Sequence, residues 1–194
     1  MAFKTFQPPT EWTPPDTFPA QRILDADEIA IDTETRDPSL KEKGPGYVRG
    51  DGEIVGVSIA IDGYADYFPF AHEAGFNFPK KRVLEFVKDV LSGDQDKIFH
   101  NAMYDVGWLK KEGVEVKGRV IDTMVVAPLV NENMYWYTLN SLGMEYLQEG
   151  KSEAELRQAA EEWGIDPKAE MWRLPSSYVG TYATQDAALT LKLW

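Results

Sequence analysis

Residues 28–34 read EIAIDTE, an apolar stretch that contains two acidic residues near its end. The alternation predicts a β-strand in which Ile29 and Ile31 face one way, while Asp32 and Glu34 face the other. Acidic residues are depleted in strands, so two of them on one face need an explanation beyond packing. The stretch therefore predicts the first strand of the fold and a candidate functional site at its end.

The residues after this strand predict a hairpin and then an alternation of helices and strands. Apolar runs at 54–61 and 64–70 flank Asp62-Gly63, a dipeptide typical of two-residue hairpin turns. Helical spacing begins at Pro79. The further predicted elements are a helix after Pro79, a strand at 97–100, a helix at 104–111, a strand at 114–121, helices at 123–130 and from about 138, a helix with a capping box formed by Ser152 and Glu155, and a last helix from about Ser177. This order predicts an α/β fold, in which helices flank a mixed sheet.

Composition excludes several classes of protein. The chain has 194 residues, of which 43% are hydrophobic, and this is typical of a globular domain. It contains no Cys, which excludes a disulfide framework and a thiol nucleophile. No apolar run approaches the ~18 residues of a membrane helix, and the N-terminus lacks the features of a secretory signal. We therefore expect no membrane partner and a cytoplasmic location.

The charge balance argues against simple binding to nucleic acid. Twenty Lys and Arg residues stand against 32 Asp and Glu residues, which gives a net charge of -12. By bulk charge such a chain repels a polyanion. It can still act on one if some of its carboxylates bind divalent cations, because these reverse the local sign of the field.

Proline content sets off the N-terminus from the rest of the chain. Five of the twelve prolines lie in the first nineteen residues, which disfavours a helix or an interior strand there. We expect an extended arm at residues 1–20 and one domain at residues 21–194. The sequence stops at Trp194 inside an apolar helical pattern, so we expect a domain that belongs to a longer polypeptide.

Asp32 and Glu34 are the first candidates for chemistry. Two carboxylates that lie close together repel each other unless one is protonated or a cation lies between them. Magnesium and manganese prefer such oxygen ligands. The alternative is a strand end that runs into solvent, and this pair alone does not decide between the two.

Two later segments offer further candidates. The residues from His100 to Asp105 lie where an apolar strand meets a helix, a place where α/β proteins form ligand sites. Tyr182 and Asp186 have the i, i+4 spacing that places them on one helix face. The alternatives are a turn followed by a first-turn helix acid in the former segment, and a core tyrosine beside a paired acid in the latter.

Taken together, the three segments match the pattern of one family. Asp32-x-Glu34, Asn101-x-x-x-Asp105 and Tyr182-x-x-x-Asp186 resemble, in this order, the three motifs of DEDD 3'-5' exonucleases of the tyrosine subclass. Residues 122–124 and 137–142 resemble the segments between the second and third motifs in the proofreading domain of family A DNA polymerases. The resemblance covers residues 23–194, and a longer loop after the first motif favours the bacteriophage branch. It implies a ribonuclease H-like fold.

The resemblance also implies a mechanism with two divalent ions, Mg²⁺ or Mn²⁺. It assigns Asp32, Glu34 and Asp186 to one ion, and Asp32 together with Asp105, through water, to the other. Two such ions clamp the attacking and leaving oxygens of an in-line displacement. Tyr182 and Glu34 orient the nucleophilic water, and a nucleoside 5'-monophosphate leaves the 3' end.

The same resemblance implies the partners of the chain. The terminal nucleotide is expected to contact a set of five residues: Thr33, Leu40, His100, Asn101 and Tyr104. Single-stranded DNA 3' ends are the expected substrate, and a polymerase domain in the same or a separate chain is a possible partner, inside a bacterial host. Two alternatives remain open, an RNA-trimming or stand-alone exonuclease of the same fold and a non-catalytic module that binds strand ends.

Overall fold

The computed structural model describes residues 10–194, in which five strands and nine α-helices occur. The strands are β1 (Glu28–Arg36), β2 (Glu53–Ile61), β3 (Tyr64–Pro69), β4 (Asp96–Phe99) and β5 (Val120–Asp122). The helices are α1 (Ala20–Leu24), α2 (Leu40–Lys43), α3 (Gly46–Arg49), α4 (Lys80–Leu91), α5 (Ala102–Lys111), α6 (Thr123–Val130), α7 (Leu139–Leu142), α8 (Ala154–Trp163) and α9 (Gly180–Leu193). A π-helical turn at Gly143–Leu147 and two 3-10 turns complete the list. Within residues 10–194, no helix is both long and apolar enough to cross a membrane.

The five strands form one mixed sheet in the order β3-β2-β1-β4-β5. β1 pairs antiparallel with β2 and parallel with β4, so it lies at the centre of the sheet. The predicted hairpin joins β2 to β3, and Gly63 in its turn has a φ of 69°, a left-handed value that glycine adopts without steric cost. The α/β class and the mixed sheet flanked by helices are thus confirmed.

Helices cover both faces of the sheet, and the alternation along β1 sends its side chains to two cores. Ile29 and Ile31 pack with residues of α1, α4 and α5 on one face. On the other face, Ala30 and its cross-strand partner Ala60 pack against Ala187 of α9. These small side chains let α9 lie close to the sheet, which brings its polar residues to the acidic end of β1.

Two local predictions were wrong, and a third placed the start of the last helix too early. A strand was expected at 114–121, but Val114 closes α5 with a backbone hydrogen bond to Leu109 (2.9 Å), and the short strand β5 begins only at Val120. A capping box of Ser152 and Glu155 was expected, but Glu153 is the N-cap of α8 and makes no side-chain capping bond. The Glu155 carboxylate instead accepts a hydrogen bond from Thr181 (3.0 Å), and the Thr10 hydroxyl lies 3.3 Å from it. The last helix also begins later than expected, after a 3-10 turn.

The described part of the N-terminal arm contains no helix or strand before Ala20. It contacts the domain, because the Thr10 hydroxyl donates to the carbonyl of Ser177 (2.7 Å) and the Trp12 ring lies 6.0 Å from that of Tyr67. Pro8 and Pro9 of the predicted arm lie outside the described residues. The division at residue 20 therefore stays a prediction.

Candidate active site

The carboxylates of Asp32 and Glu34 lie at the carboxyl end of β1, at the centre of the sheet. The register between β1 and β2 shifts after Glu34, where the β2 strand has one extra residue. Such bulges re-aim side chains and are common beside active sites. In the pairing of β1 with β2, Gly56 lies opposite Glu34. The Tyr67 hydroxyl packs closely against Gly56. The strand geometry thus presents both acids on the face that α9 covers.

Helix α9 brings the third carboxylate to this pair. Asp32, Glu34 and Asp186 each offer an oxygen atom such that the three atoms lie within 4.8 Å of one another. Asp186 is buried, and its Oδ1 atom has no hydrogen-bond partner. Tyr182, one turn earlier on α9, is also buried and lines the same cavity.

Asp105 lies beside this group of three but is held differently. Its Oδ1 atom accepts hydrogen bonds from the backbone N–H of Thr33 (2.9 Å) and from the Thr33 hydroxyl (2.6 Å). These bonds tie the first turn of α5 to β1 and fix the second motif against the first. The N-terminus of α5 is fixed in turn by Asp122, whose carboxylate accepts from the backbone N–H groups of Asn101 and Ala102 (2.9 and 2.8 Å).

Burial raises the pKa of the four clustered acids, Asp32, Glu34, Asp105 and Asp186. It raises the pKa of Glu34 to about 8, with repulsion from Asp186 as the next cause. For Asp32, burial and repulsion from Glu34, Asp105 and Asp186 hold the pKa well above its usual value. Burial also raises the pKa of Asp105 to about 7, although the bonds from Thr33 oppose the shift. Simultaneous ionisation of all four carboxylates is therefore unfavourable unless a cation lies among them.

The site fits a divalent metal ion on the evidence of its own atoms. Three convergent carboxylates offer only oxygen ligands, the kind that Mg²⁺ and Mn²⁺ prefer. The buried Oδ1 atom of Asp186 lacks any donor, and an unsatisfied buried polar atom is costly unless a ligand completes it. The three carboxylates therefore fit a divalent ion such as Mg²⁺ or Mn²⁺.

A cavity of about 640 Å³ opens above the carboxylates, and most of the predicted substrate contacts line it. His100 and Asn101 are in its wall, and Asn101 has a left-handed backbone with φ of 72°. The Nδ1 atom of His100 donates to the Thr123 hydroxyl (2.9 Å), which in turn donates to the carbonyl of Phe99. Burial lowers the pKa of His100 to about 4, so its imidazole is neutral at pH 7 and brings no positive charge to the cavity.

The other three predicted contacts either have polar groups that are already bonded within the protein or lie in a second cavity. Thr33 lines the cavity, but its N–H and hydroxyl are already bonded to Asp105. Tyr104 lines the cavity, and its hydroxyl donates to Asp37 (3.3 Å) and accepts from Thr35 (2.8 Å). Leu40 is 40% exposed and lines a second cavity of about 310 Å³, which shares Tyr104 with the first.

The comparison with known families decides what this arrangement is. The family model of the 3'-5' exonuclease domain of A-type DNA polymerases matches residues 19–194. The chain belongs to this 3'-5' exonuclease family. It is therefore a nuclease, and the acidic cluster agrees with the metal dependence of the family.

Relatives of this exonuclease include two phage polymerases. A DNA-directed DNA polymerase of Pseudomonas phage M6 is 38% identical over 192 residues, which are 95% of this chain and 28% of that protein. The DNA polymerase DpoZ of Salmonella phage PMBT28 is 30% identical over 89% of this chain and 26% of its own length. The chain thus spans little more than a quarter of these relatives.

Solved structures confirm the fold of the exonuclease. RNase D of Trypanosoma brucei matches 90% of this chain and 58% of its own with a TM-score of 0.65, at 19% identity. NrnC of Brucella melitensis, in a structure with bound Mg²⁺, matches 90% of this chain and 73% of its own with a TM-score of 0.60, at 22% identity. The ribonuclease H-like, DEDD-type fold that the motifs imply is confirmed.

One residue of the site was missed by the sequence reasoning. The ammonium group of Lys151 donates to the Tyr182 hydroxyl (3.1 Å) and to the Oδ2 atom of Asp186, and it lies 4.9 Å from the centre of the Tyr182 ring. It comes from the loop before α8, 35 residues from Asp186. No spacing or motif in the sequence marks this lysine, so only the folded structure reveals it.

Proposed function

We propose that this exonuclease domain removes nucleoside 5'-monophosphates from single-stranded or mismatched DNA 3' ends and serves proofreading by a phage family A polymerase inside a bacterial host. The observation that carries the proposal is the convergence of Asp32, Glu34 and Asp186 within 4.8 Å at the floor of an open cavity. DNA is the favoured substrate because the relatives that the chain resembles at 30% identity or more are DNA polymerases.

The residues have distinct roles in this proposal. Asp32, Glu34 and Asp186 hold one divalent ion, and Asp32 with Asp105 serves a second. When bound, two such ions supply a hydroxide nucleophile near neutral pH and stabilise the departing 3'-oxygen. Tyr182 and Glu34 orient the attacking water, whereas His100, Asn101 and the Tyr104 ring hold the terminal nucleotide.

Substitution of Asp32 tests the proposal. Because Asp32 serves both ions, we expect Asp32→Ala to lower the rate of 3' nucleotide release by at least about a thousandfold while the far-UV circular dichroism stays unchanged. Asp89→Ala is the matched control, since Asp89 is an exposed acid on α4. A rate near that of the wild type in saturating Mg²⁺ would refute the assignment.

Oligonucleotides of matched sequence separate the alternatives. The proposal predicts faster release of nucleotides from DNA than from RNA, with 5'-monophosphates as products. Faster release from RNA would favour the RNA-trimming alternative. Binding of DNA without any release in Mg²⁺ or Mn²⁺ would favour the non-catalytic module.

A further inference from the structure

Lys151 is the cation that contacts the acidic cluster. Two other basic residues in the described part of the chain line the cavity, Arg157 and Lys168, and both bind the carboxylate of Glu153. Lys151 instead donates to Asp186, and its side chain is only 15% exposed. The ammonium therefore sits on one of the three carboxylates that are to hold a metal ion.

The loop that carries Lys151 is fastened on both sides. The side-chain amide of Gln185 donates to the carbonyl of Gly150 (2.9 Å), and its oxygen accepts from the backbone N–H of Ser152. The backbone N–H of Lys151 itself donates to Asn140 (3.0 Å). These bonds hold the Cα atom in place, so the flexible four-carbon stem is what can move the ammonium.

Charge explains why the lysine lies there. The Lys151 ammonium donates to Asp186 and to the Tyr182 hydroxyl (3.1 Å), and Asp186 lies in one cluster with Asp32 and Glu34. A positive charge at this place offsets part of the repulsion among the acids. The ammonium bonds the Oδ2 atom of Asp186, whereas the Oδ1 atom has no partner. A divalent ion that binds Asp186 through Oδ1 therefore lies on the same carboxylate as the ammonium and repels it.

We propose that Lys151 is a built-in counter-ion that competes with the divalent metal for Asp186, so that it sets the metal affinity of the exonuclease. In the metal-free protein the ammonium neutralises Asp186 and keeps the site folded. When the metal binds, the ammonium leaves Asp186 and stays near the Tyr182 ring on its flexible stem. The inference rests on the proposed function, because it takes the acidic cluster to be a metal site.

Titration of the DNA-free protein with Mn²⁺ tests the inference by isothermal calorimetry at a fixed pH. We expect Lys151→Met to bind Mn²⁺ about tenfold more tightly than the wild type, because a nearby positive charge is removed. Lys192→Met is the matched control, since it removes a lysine that pairs with Glu149 outside the acidic cluster. A gain below about threefold relative to this control, or a loss of affinity, overturns the inference.

Thermal melts give a second readout, because chelator and Mn²⁺ are expected to have opposite effects on the variant relative to the wild type. In chelator, Lys151→Met should melt below the wild type, because Asp186 loses its counter-ion, whereas saturating Mn²⁺ should raise its melting temperature by more than that of the wild type. Lys151→Gln replaces the charge by a neutral amide that can still donate to Asp186, so it keeps the test open if the Met variant does not fold. Equal metal-induced shifts in wild type and Lys151→Gln overturn the inference.

Asp32→Ala distinguishes failure of the counter-ion inference from failure of the proposed function. If the wild type binds Mn²⁺ and Asp32→Ala binds it equally well, the acidic cluster is not the metal site and the proposed function fails. If binding depends on Asp32 but not on Lys151, only the counter-ion role is wrong. In that case Lys151 serves another purpose, such as a contact to a substrate phosphate.

Discussion

At Glu34, burial and the neighbouring Asp186 raise the pKa from 4.5 to about 8, and this gives the metal-free protein a pH dependence of known sign. Between these values the folded protein holds a proton that the unfolded chain has released. The free energy of unfolding therefore falls as the pH rises through this window. In chelator, we expect the melting temperature of the wild type to fall more steeply from pH 5 to pH 8 than that of Glu34→Gln.

The matched control for this prediction is Glu162→Gln, which changes an exposed glutamate at the end of α8. It should reproduce the pH dependence of the wild type. Parallel curves for the wild type and Glu34→Gln would show that Glu34 does not take up a proton on folding.

The Tyr182 hydroxyl gives a second prediction at the residue scale. Tyr182→Phe keeps the buried ring and removes the hydroxyl that is proposed to orient water. We expect turnover to fall by about a hundredfold or less, with oligonucleotide binding in chelator close to normal. Tyr64→Phe, in the hairpin far along the sheet, is the control. If weaker binding accounts for the whole loss, the hydroxyl holds substrate rather than water.

At the scale of elements, the contact between β2 and β3 supports the acidic end of β1. A Cβ atom on Gly56, which stands opposite Glu34, would lie 2.1 Å from the Tyr67 hydroxyl. That hydroxyl cannot easily move, because Tyr67 is fully buried and hydrogen-bonded to His72 (2.7 Å). Gly56 is thus required by a close approach rather than by backbone conformation.

We expect Gly56→Ala to lower the free energy of unfolding in urea by about 1–3 kcal/mol, because overpacking a rigid core forces its neighbours to shift. Gly164→Ala is the control, since its added Cβ meets open space and only the left-handed backbone with φ of 65° opposes it. An unfolding free energy for Gly56→Ala equal to that of the wild type would mean that Tyr67 and β3 can shift to accommodate the added Cβ atom without cost.

The elements also show which parts of the fold local sequence can predict. The alternation of Ile29 and Ile31 with Asp32 and Glu34 placed the acids correctly, because the period of a strand is a local property. The strand expected at 114–121 failed because a β-rich segment needs a neighbour to pair with, and only residues from Val120 onward find one in β4. The expected capping box failed because Glu155 interacts with Thr10 and Thr181, contacts that lie far apart in the sequence.

Long-range contacts explain what was missed in the site. The motifs supplied the acids and Tyr182, but the contact of Lys151 with Asp186 joins a loop to a helix without any periodic spacing. The hydrogen bonds by which Gln185 holds that loop are likewise not marked by any sequence pattern, although Gln185 lies within the third motif. Charge compensation depends on the folded arrangement, and a pattern of residue types does not record it.

For the whole molecule, a net charge of -12 limits how the exonuclease can hold its substrate. The basic residues that line the cavity, Lys151, Arg157 and Lys168, are each already bound to a carboxylate. Few cations are thus free to grip the phosphates of a duplex. Separation of a terminal base pair costs a few kcal/mol, and nothing in the described site repays that cost.

The exonuclease should therefore degrade unpaired 3' ends faster than paired ones. We expect a blunt duplex with three mismatched pairs at the 3' end of the labelled strand to lose its terminal nucleotide about tenfold faster than the fully paired duplex, and single strands to be at least as fast. A duplex with the same mismatches at the 5' end of that strand is the control, because it has equal composition and a paired 3' end. Equal rates on mismatched and paired 3' ends would show that the domain itself opens the duplex, and a proofreading preference would then have to come from a partner that presents frayed ends.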